Sequence, residues 1–129
     1  MKIFSEKEVV DVIWAMEPNK APGPDGFSSH FYRLCWNVIK FDLLQMISSF
    51  LKKSKVRGNT NSTFLALIPK EANPISFDRF RPISLCNASY KILAKLLSNR
   101  LESLLGVLIS PLQGGFVKGR HLIDNVIQV

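Results

Sequence analysis

Cysteine and histidine are scarce in this 129-residue chain: Cys35 and Cys86 stand alone, and only His30 and His121 could join them. No CxxC spacing occurs, which argues against a disulfide framework or a zinc site. Reduced, buried thiols in an intracellular protein are the expectation instead. Long apolar runs are missing as well. The longest are of the size of Phe64–Ile68, far short of the roughly 20 residues that a membrane-spanning helix needs, so no membrane partner is expected. The N-terminus, MKIFSEKEVV, lacks the apolar core of a signal peptide. No GxxxxGK[ST] loop is present, which excludes a nucleoside triphosphatase of that type. The acids are few and scattered, with no two aspartates adjacent, and there are no internal repeats or low-complexity segments.

What the chain does have is positive charge, +7 overall, and it is unevenly placed. Residues 51–100 hold ten of the seventeen Lys and Arg against only Glu71 and Asp78. A basic middle third suits an anionic partner such as nucleic acid, or simply a solvated surface on a small domain. With 47% hydrophobic residues the chain is ordinary for a soluble domain.

In chain order, Ser5 and Glu8 form a capping-box pattern, with Phe4 and Val9 placed to close a hydrophobic staple. A packing helix over 4–16 follows, with Val9, Val12, Ile13 and Met16 as its buried stripe. Residues 17–26, EPNKAPGPDG, make a rigid, turn-rich loop in which Pro22, Gly23, Pro24 and Gly26 serve turn chemistry. Residues 27 to about 53 read as helical with a joint near Phe41–Asp42. Phe31, Leu34, Trp36, Ile39, Leu43, Leu44, Ile47, Phe50 and Leu51 supply apolar faces. Lys52, Lys53, Lys55 and Arg57 end that segment as a basic run, which a helix C-terminus favours on its own account.

The stretch that organises the rest is FLALIPKEANPISFDRFRPISLCNASYKILAKLLSNRL at 64–101. Phe64–Ile68 is apolar and short, as a buried strand would be, and Pro69 stops it. After a loop over 70–80 the chain re-enters extended geometry at Arg81, which Pro82 biases towards β. Asn87 is the expected N-cap of a long helix. Tyr90, Leu93, Ala94, Leu97, Leu101 and Leu104 share one face of it, and Gly106 is the expected stop. Strands 64–68 and 81–85 are expected to pair antiparallel, leaving one lysine where the first ends and one arginine where the second begins. Beyond lie a paired-glycine turn at Gly114–Gly115 and a last helix from His121 with Ile123, Val126 and Ile127 as apolar positions.

Five colinear blocks carry a resemblance: NKAPGPDGFSSHFY at 19–32, LIPK at 67–70, FRPISLCN at 80–87, YKILAKLLSNRL at 90–101 and QGGFVKGRHLIDN at 113–125. In this order they resemble the fingers region of reverse transcriptases from non-LTR (LINE-type) retrotransposons, plant elements in particular; group II intron maturases carry a looser version.

The resemblance implies an α+β fragment, mostly helical with a short antiparallel strand pair. Residues 1–129 would be a partial reverse transcriptase domain, the fingers and the start of the palm of a right-hand polymerase. By the same match Lys70 and Arg81 hold the triphosphate of an incoming deoxynucleotide. The alternative for each is a solvated strand-end charge. Lysine is a compact point charge and arginine a planar fork for phosphate oxygens. Lys20, Lys52, Lys53, Lys55, Gln113, Phe116, Lys118 and Arg120 are the candidate contacts to template or primer, and here too a plain surface role is the alternative. Phosphoryl transfer by such polymerases uses two metal ions held by paired carboxylates, and those motifs are absent from this sequence. Asp124 matches a helical aspartate of the last block that does not bind metal. No catalytic residue, metal ligand or cofactor is therefore assigned here, with Mg²⁺ expected for the complete enzyme.

The function implied is the template- and nucleotide-binding part of an RNA-directed DNA polymerase, inactive alone. A non-catalytic basic nucleic-acid-binding module, or a retroelement remnant without function, is the alternative. Expected partners are an RNA template, a DNA primer and, weakly, a deoxynucleoside triphosphate. An unfinished palm surface should promote aggregation or oligomerisation. The family's life cycle implies access to the nucleus, although no localisation tract is seen.

Overall fold

Ser5 starts the first helix as its side chain dictates. Its hydroxyl accepts the backbone N–H of Glu8 at 3.2 Å, while the Glu8 carboxylate accepts the Ser5 N–H at 2.8 Å, so two orphan donors are satisfied reciprocally. The computed structural model describes residues 3–55, 58–110 and 113. Within it α1 spans Glu6–Ala15, α2 Ser29–Leu34, α3 Trp36–Lys53, β1 Thr63–Pro69, β2 Phe80–Cys86 and α4 Ala88–Leu108. Short 3-10 turns at Gly58–Asn61 and Phe77–Arg79 complete the elements. This is the expected α+β arrangement of helices and one antiparallel strand pair. Among the described residues no helix is long and apolar enough to cross a membrane.

The chain divides into two compact units, Met1–Leu93 and Ala94–Val129. In the first, the core is built from Phe4, Val9, Val12 and Ile13 of the N-terminal segment, Tyr32 of α2, Leu43 and Ile47 of α3, and Ala88, Ile92 and Leu93 of α4. Each fully buried aliphatic side chain contributes about 1.5–3 kcal/mol of transfer free energy. Arg33 ties α2 to the end of α1: its guanidinium donates to the carbonyls of Ile13 at 3.2 Å, Trp14 at 3.0 Å and Met16. These are carbonyls that the last turn of a helix leaves without partners. In the second unit α4 continues to Leu108, with Leu96 buried and Leu101, Leu104, Val107 and Leu108 exposed.

Several expectations need correction. The helical break falls at Cys35 rather than Phe41–Asp42: the Cys35 N–H closes α2 on Phe31, and its carbonyl accepts Val38 and Ile39 N–H to open α3. Leu34, assigned to an apolar face, is mostly exposed. Gly106 does not stop α4, which runs two residues past it. The buried line of that helix is Ala88, Ile92, Leu93 and Leu96, whereas Ala94, Leu101 and Leu104 lie in solvent. The strand over 64–68 is not buried, since Phe64, Leu65, Leu67 and Ile68 are all exposed. Both cysteines are free but half-buried. The last-helix positions Ile123, Val126 and Ile127, and the turn at Gly114–Gly115, lie outside the described residues.

Candidate nucleic-acid interface

The strand pair is the frame of the site. β1 and β2 run antiparallel in one register from Thr63↔Cys86 to Pro69↔Phe80, with Ile68 opposite Arg81. Side chains alternate across the ribbon, so Phe64, Ala66 and Ile68 share a face with Leu85, Ile83 and Arg81. Lys70 follows the last pair directly, and its N–H donates to the Arg79 carbonyl at 2.8 Å, extending the ladder one step. Lys70 stands one residue past β1 and Arg81 one residue into β2, so the ladder brings the backbone of both to the same end of the ribbon.

Residues 70–79 connect the strands and are held by their own polar groups. The Lys70 ammonium donates to the Asp78 carbonyl at 2.6 Å, and the Arg79 N–H donates to the Ser76 carbonyl at 3.1 Å. Ser76 Oγ donates to the Asp78 carboxylate. Arg79 faces both acids of the connection, Glu71 at 3.7 Å and Asp78 at 3.4 Å. Arg81 is exposed, and it forms no ion pair with any described residue. The acids are thus spent on the arginine between the two candidate phosphate ligands, and neither Lys70 nor Arg81 is neutralised by a carboxylate among the described residues.

The other candidates fall elsewhere. Lys20 lies on the proline-rich loop and pairs with Glu17 at 3.3 Å, both well exposed. Lys52 and Lys53 finish α3 and Lys55 follows, all exposed, around Ser54, whose left-handed φ of 52° ends the helix. Gln113 is exposed, its N–H bonded to the Ser110 carbonyl at 3.0 Å. Phe116, Lys118 and Arg120, like Arg57 of the basic run, lie outside the described residues. Among the described residues no hydrogen bond or ion pair joins Lys52, Lys53 or Lys55 to Lys70 or Arg81.

Behind the strand pair sits a polar junction whose extent the sequence did not disclose. Asn87, at the β2–α4 boundary, accepts the Asp25 N–H on Oδ1 at 3.1 Å and donates from Nδ2 to the Asn59 carbonyl at 2.9 Å. Its own carbonyl accepts the Lys91 N–H at 3.1 Å, opening the helix as a cap residue does. Lys91 Nζ reaches the Ala21 carbonyl at 3.2 Å, adding a cation to the loop that carries Lys20. Asp25 Oδ1 accepts the Phe27 N–H at 3.1 Å, and Gly26 turns with φ of 73°, so the expected Asp-Gly turn is present. Nothing in the spacing of Lys91 marks it, because the pairing spans seventy residues.

Two shallow cavities lie along α3, distinct from the strand pair. One of about 320 Å³ is lined by Phe27, Phe31, Tyr32, Leu43, Met46 and Ser89. The other, about 310 Å³, is lined by Asp42, Gln45, Ser49, Phe50, Lys55 and Leu93. Burial holds the Tyr32 phenol above its ordinary value, with the Ser89 side chain opposing and Asp25 adding a smaller push. Among the described residues no group of three or more His, Cys, Asp or Glu gathers as a metal site would require.

No family model matches the chain. Over 122 residues, 95% of its length, the chain is 33% identical to the transposon TX1 uncharacterized 149 kDa protein of Xenopus laevis. It spans 9% of that relative's length. The similarity of nearly the whole chain to a transposon-encoded protein supports an origin in a LINE-type retrotransposon.

Proposed function

We propose that this chain is the fingers and the beginning of the palm of a LINE-type reverse transcriptase, the part that binds template and incoming nucleotide. The observation that carries the reading is the strand pair itself, with Lys70 at the end of β1, Arg81 at the start of β2 and the intervening acids paired with Arg79. The retroelement origin supports it from an independent side. Two cations at one end of the ribbon suit a polyphosphate: Arg81 offers two parallel N–H donors, and Lys70 a point charge held by the Asp78 carbonyl.

Lys52, Lys53 and Lys55 form a second basic group, suited to the template backbone. The chain has no adjacent aspartates to gather two metal ions, so by itself it should not extend a primer. A non-catalytic nucleic-acid-binding module is the second reading, favoured by the concentration of basic residues in 51–100. A functionless retroelement remnant is compatible with the same origin.

Steady-state kinetics of a complete polymerase carrying this segment separate the readings. Arg81→Ala should raise the KM for deoxynucleotide more than it weakens template binding, and the triple Lys52, Lys53, Lys55→Ala variant should do the reverse. An Arg81→Ala enzyme with unchanged nucleotide KM and kcat would reduce Arg81 to a surface charge.

A further inference from the structure

Ile75 and Phe77 stand 98% and 86% exposed in the connection between β1 and β2, flanked in sequence by Lys70, Arg79 and Arg81. Among the described residues Phe77 is the most exposed aromatic ring, ahead of Phe41, Phe64, Trp14 and Phe27, and two of these four are already engaged. Phe27 stacks on Phe31 with centroids 4.3 Å apart, and Phe41 lies 5.4 Å beneath the Lys40 ammonium, which in turn faces Glu6 at 3.7 Å. Phe77 meets no other ring among the described residues.

The backbone that presents Phe77 is braced, because it opens a 3-10 turn closed by the Arg79 N–H on the Ser76 carbonyl. The Lys70 N–H on the Arg79 carbonyl then fixes that turn to the end of the ladder. A ring offered from fixed backbone loses little freedom when it binds.

We propose that Phe77 is a stacking platform for a base of single-stranded nucleic acid, while Lys70 and Arg81 take phosphates beside it. The proposal rests on the nucleic-acid reading above and adds to it a residue that reads the base face rather than the backbone. An aromatic ring beside cations is what binding of single strands without sequence preference uses, because every base has a π-face. A lipid surface is the poorer fit, since interfacial segments bury a broad apolar face set against a strongly basic one. Within the connection itself only Ile75 and Phe77 are apolar and prominent, and it holds two acids.

The test measures binding of the 129-residue chain to a labelled oligothymidylate and to an abasic strand of equal length, over several salt concentrations. Phe77→Ala should weaken the thymidylate complex about 5- to 100-fold, leave the abasic complex and the salt slope unchanged, and be rescued by Phe77→Trp. Arg81→Ala should weaken both complexes and lower the slope by about 0.7 for the phosphate it releases. Equal losses on both strands, or none, with Phe77→Ala would overturn the stacking role while leaving the nucleic-acid reading intact. A parent chain that binds neither strand would overturn both. Loss of binding to anionic phospholipid vesicles, with oligonucleotide binding untouched, would transfer Phe77 to a membrane role and end the proposal.

Discussion

Gly23 is pressed against Asn87 so closely that a Cβ on it would lie 2.4 Å from the Asn87 nitrogen and 2.7 Å from its Oδ1. The contact joins the proline-rich loop to the junction of β2 and α4, sixty-odd residues later. The Asp25 N–H on Asn87 Oδ1 lies two residues along the same loop. The obstacle is mainly backbone, which cannot swing aside as a flexible side chain would.

Gly23→Ala should therefore destabilise the chain by roughly 1–3 kcal/mol, the cost of overpacking a fitted contact, and lower Tm by several degrees. Gly26→Ala is the comparison. Open space surrounds Gly26, so only its φ of 73° resists substitution, at about 1–2 kcal/mol. Thermal melts of the two variants check the claim, and a Gly23→Ala protein as stable as the parent would refute the close docking.

Arg33 holds three carbonyls at the end of α1, a task that depends on a planar fork. Arg33→Ala should cost about 1.5–3 kcal/mol. Arg33→Lys should recover little of that, because a single Nζ cannot reproduce the separation of Nε and Nη2 that spans the three carbonyls. Denaturant unfolding with an unchanged m-value is the appropriate measurement.

Burial keeps the Tyr32 phenol above its ordinary value of 10.0. Above pH 10 the unfolded chain releases this proton while the folded chain retains it. The contribution to stability is thus complete below pH 10 and is lost as pH rises from there through the folded value. Tyr32→Phe should flatten that alkaline limb. Melts from pH 7 to 11 test the effect.

Where the chain announces its geometry through local chemistry, the sequence was readable. Ser5 and Glu8 specify a helix start by themselves, and the proline-flanked apolar runs mark the two strands, their antiparallel pairing and the long connection. The misplaced joint has a physical reason: Cys35 serves both helices with its own N–H and carbonyl, so no proline or glycine is needed to announce it. Gly106 misled because glycine ends a helix through a left-handed φ. Among described glycines only Gly26 has positive φ, while Ser54 adopts the left-handed cap at the end of α3. Exposure of β1 and the position of Lys91 depend on what lies across the fold, which no local pattern records. Lys70 and Arg81 were legible as strand-end cations, but the pairing of Glu71 and Asp78 with Arg79 was not.

Both faces of the strand ribbon carry exposed apolar side chains: Phe64, Ile68 and Ile83 on one, Leu65 and Leu67 on the other. Such surface promotes association, and an isolated two-stranded ribbon is only marginally stable. Sedimentation velocity over a concentration series should show self-association that Leu65→Thr with Leu67→Thr diminishes, with little change in Tm. A strictly monomeric parent at high concentration would contradict this.

The most direct test of the central claim is a titration of the ¹⁵N-labelled chain with a deoxynucleoside triphosphate, followed by NMR at the Arg81 Nε–H and the backbone amides of Lys70 and Arg79. The account expects these signals to move together with a dissociation constant on the order of 1 mM, about 4 kcal/mol of binding. The corresponding nucleoside, which lacks the phosphates, should leave them in place. Signals unmoved by the triphosphate, or moved equally by the nucleoside, would contradict the assignment of Lys70 and Arg81 as phosphate ligands.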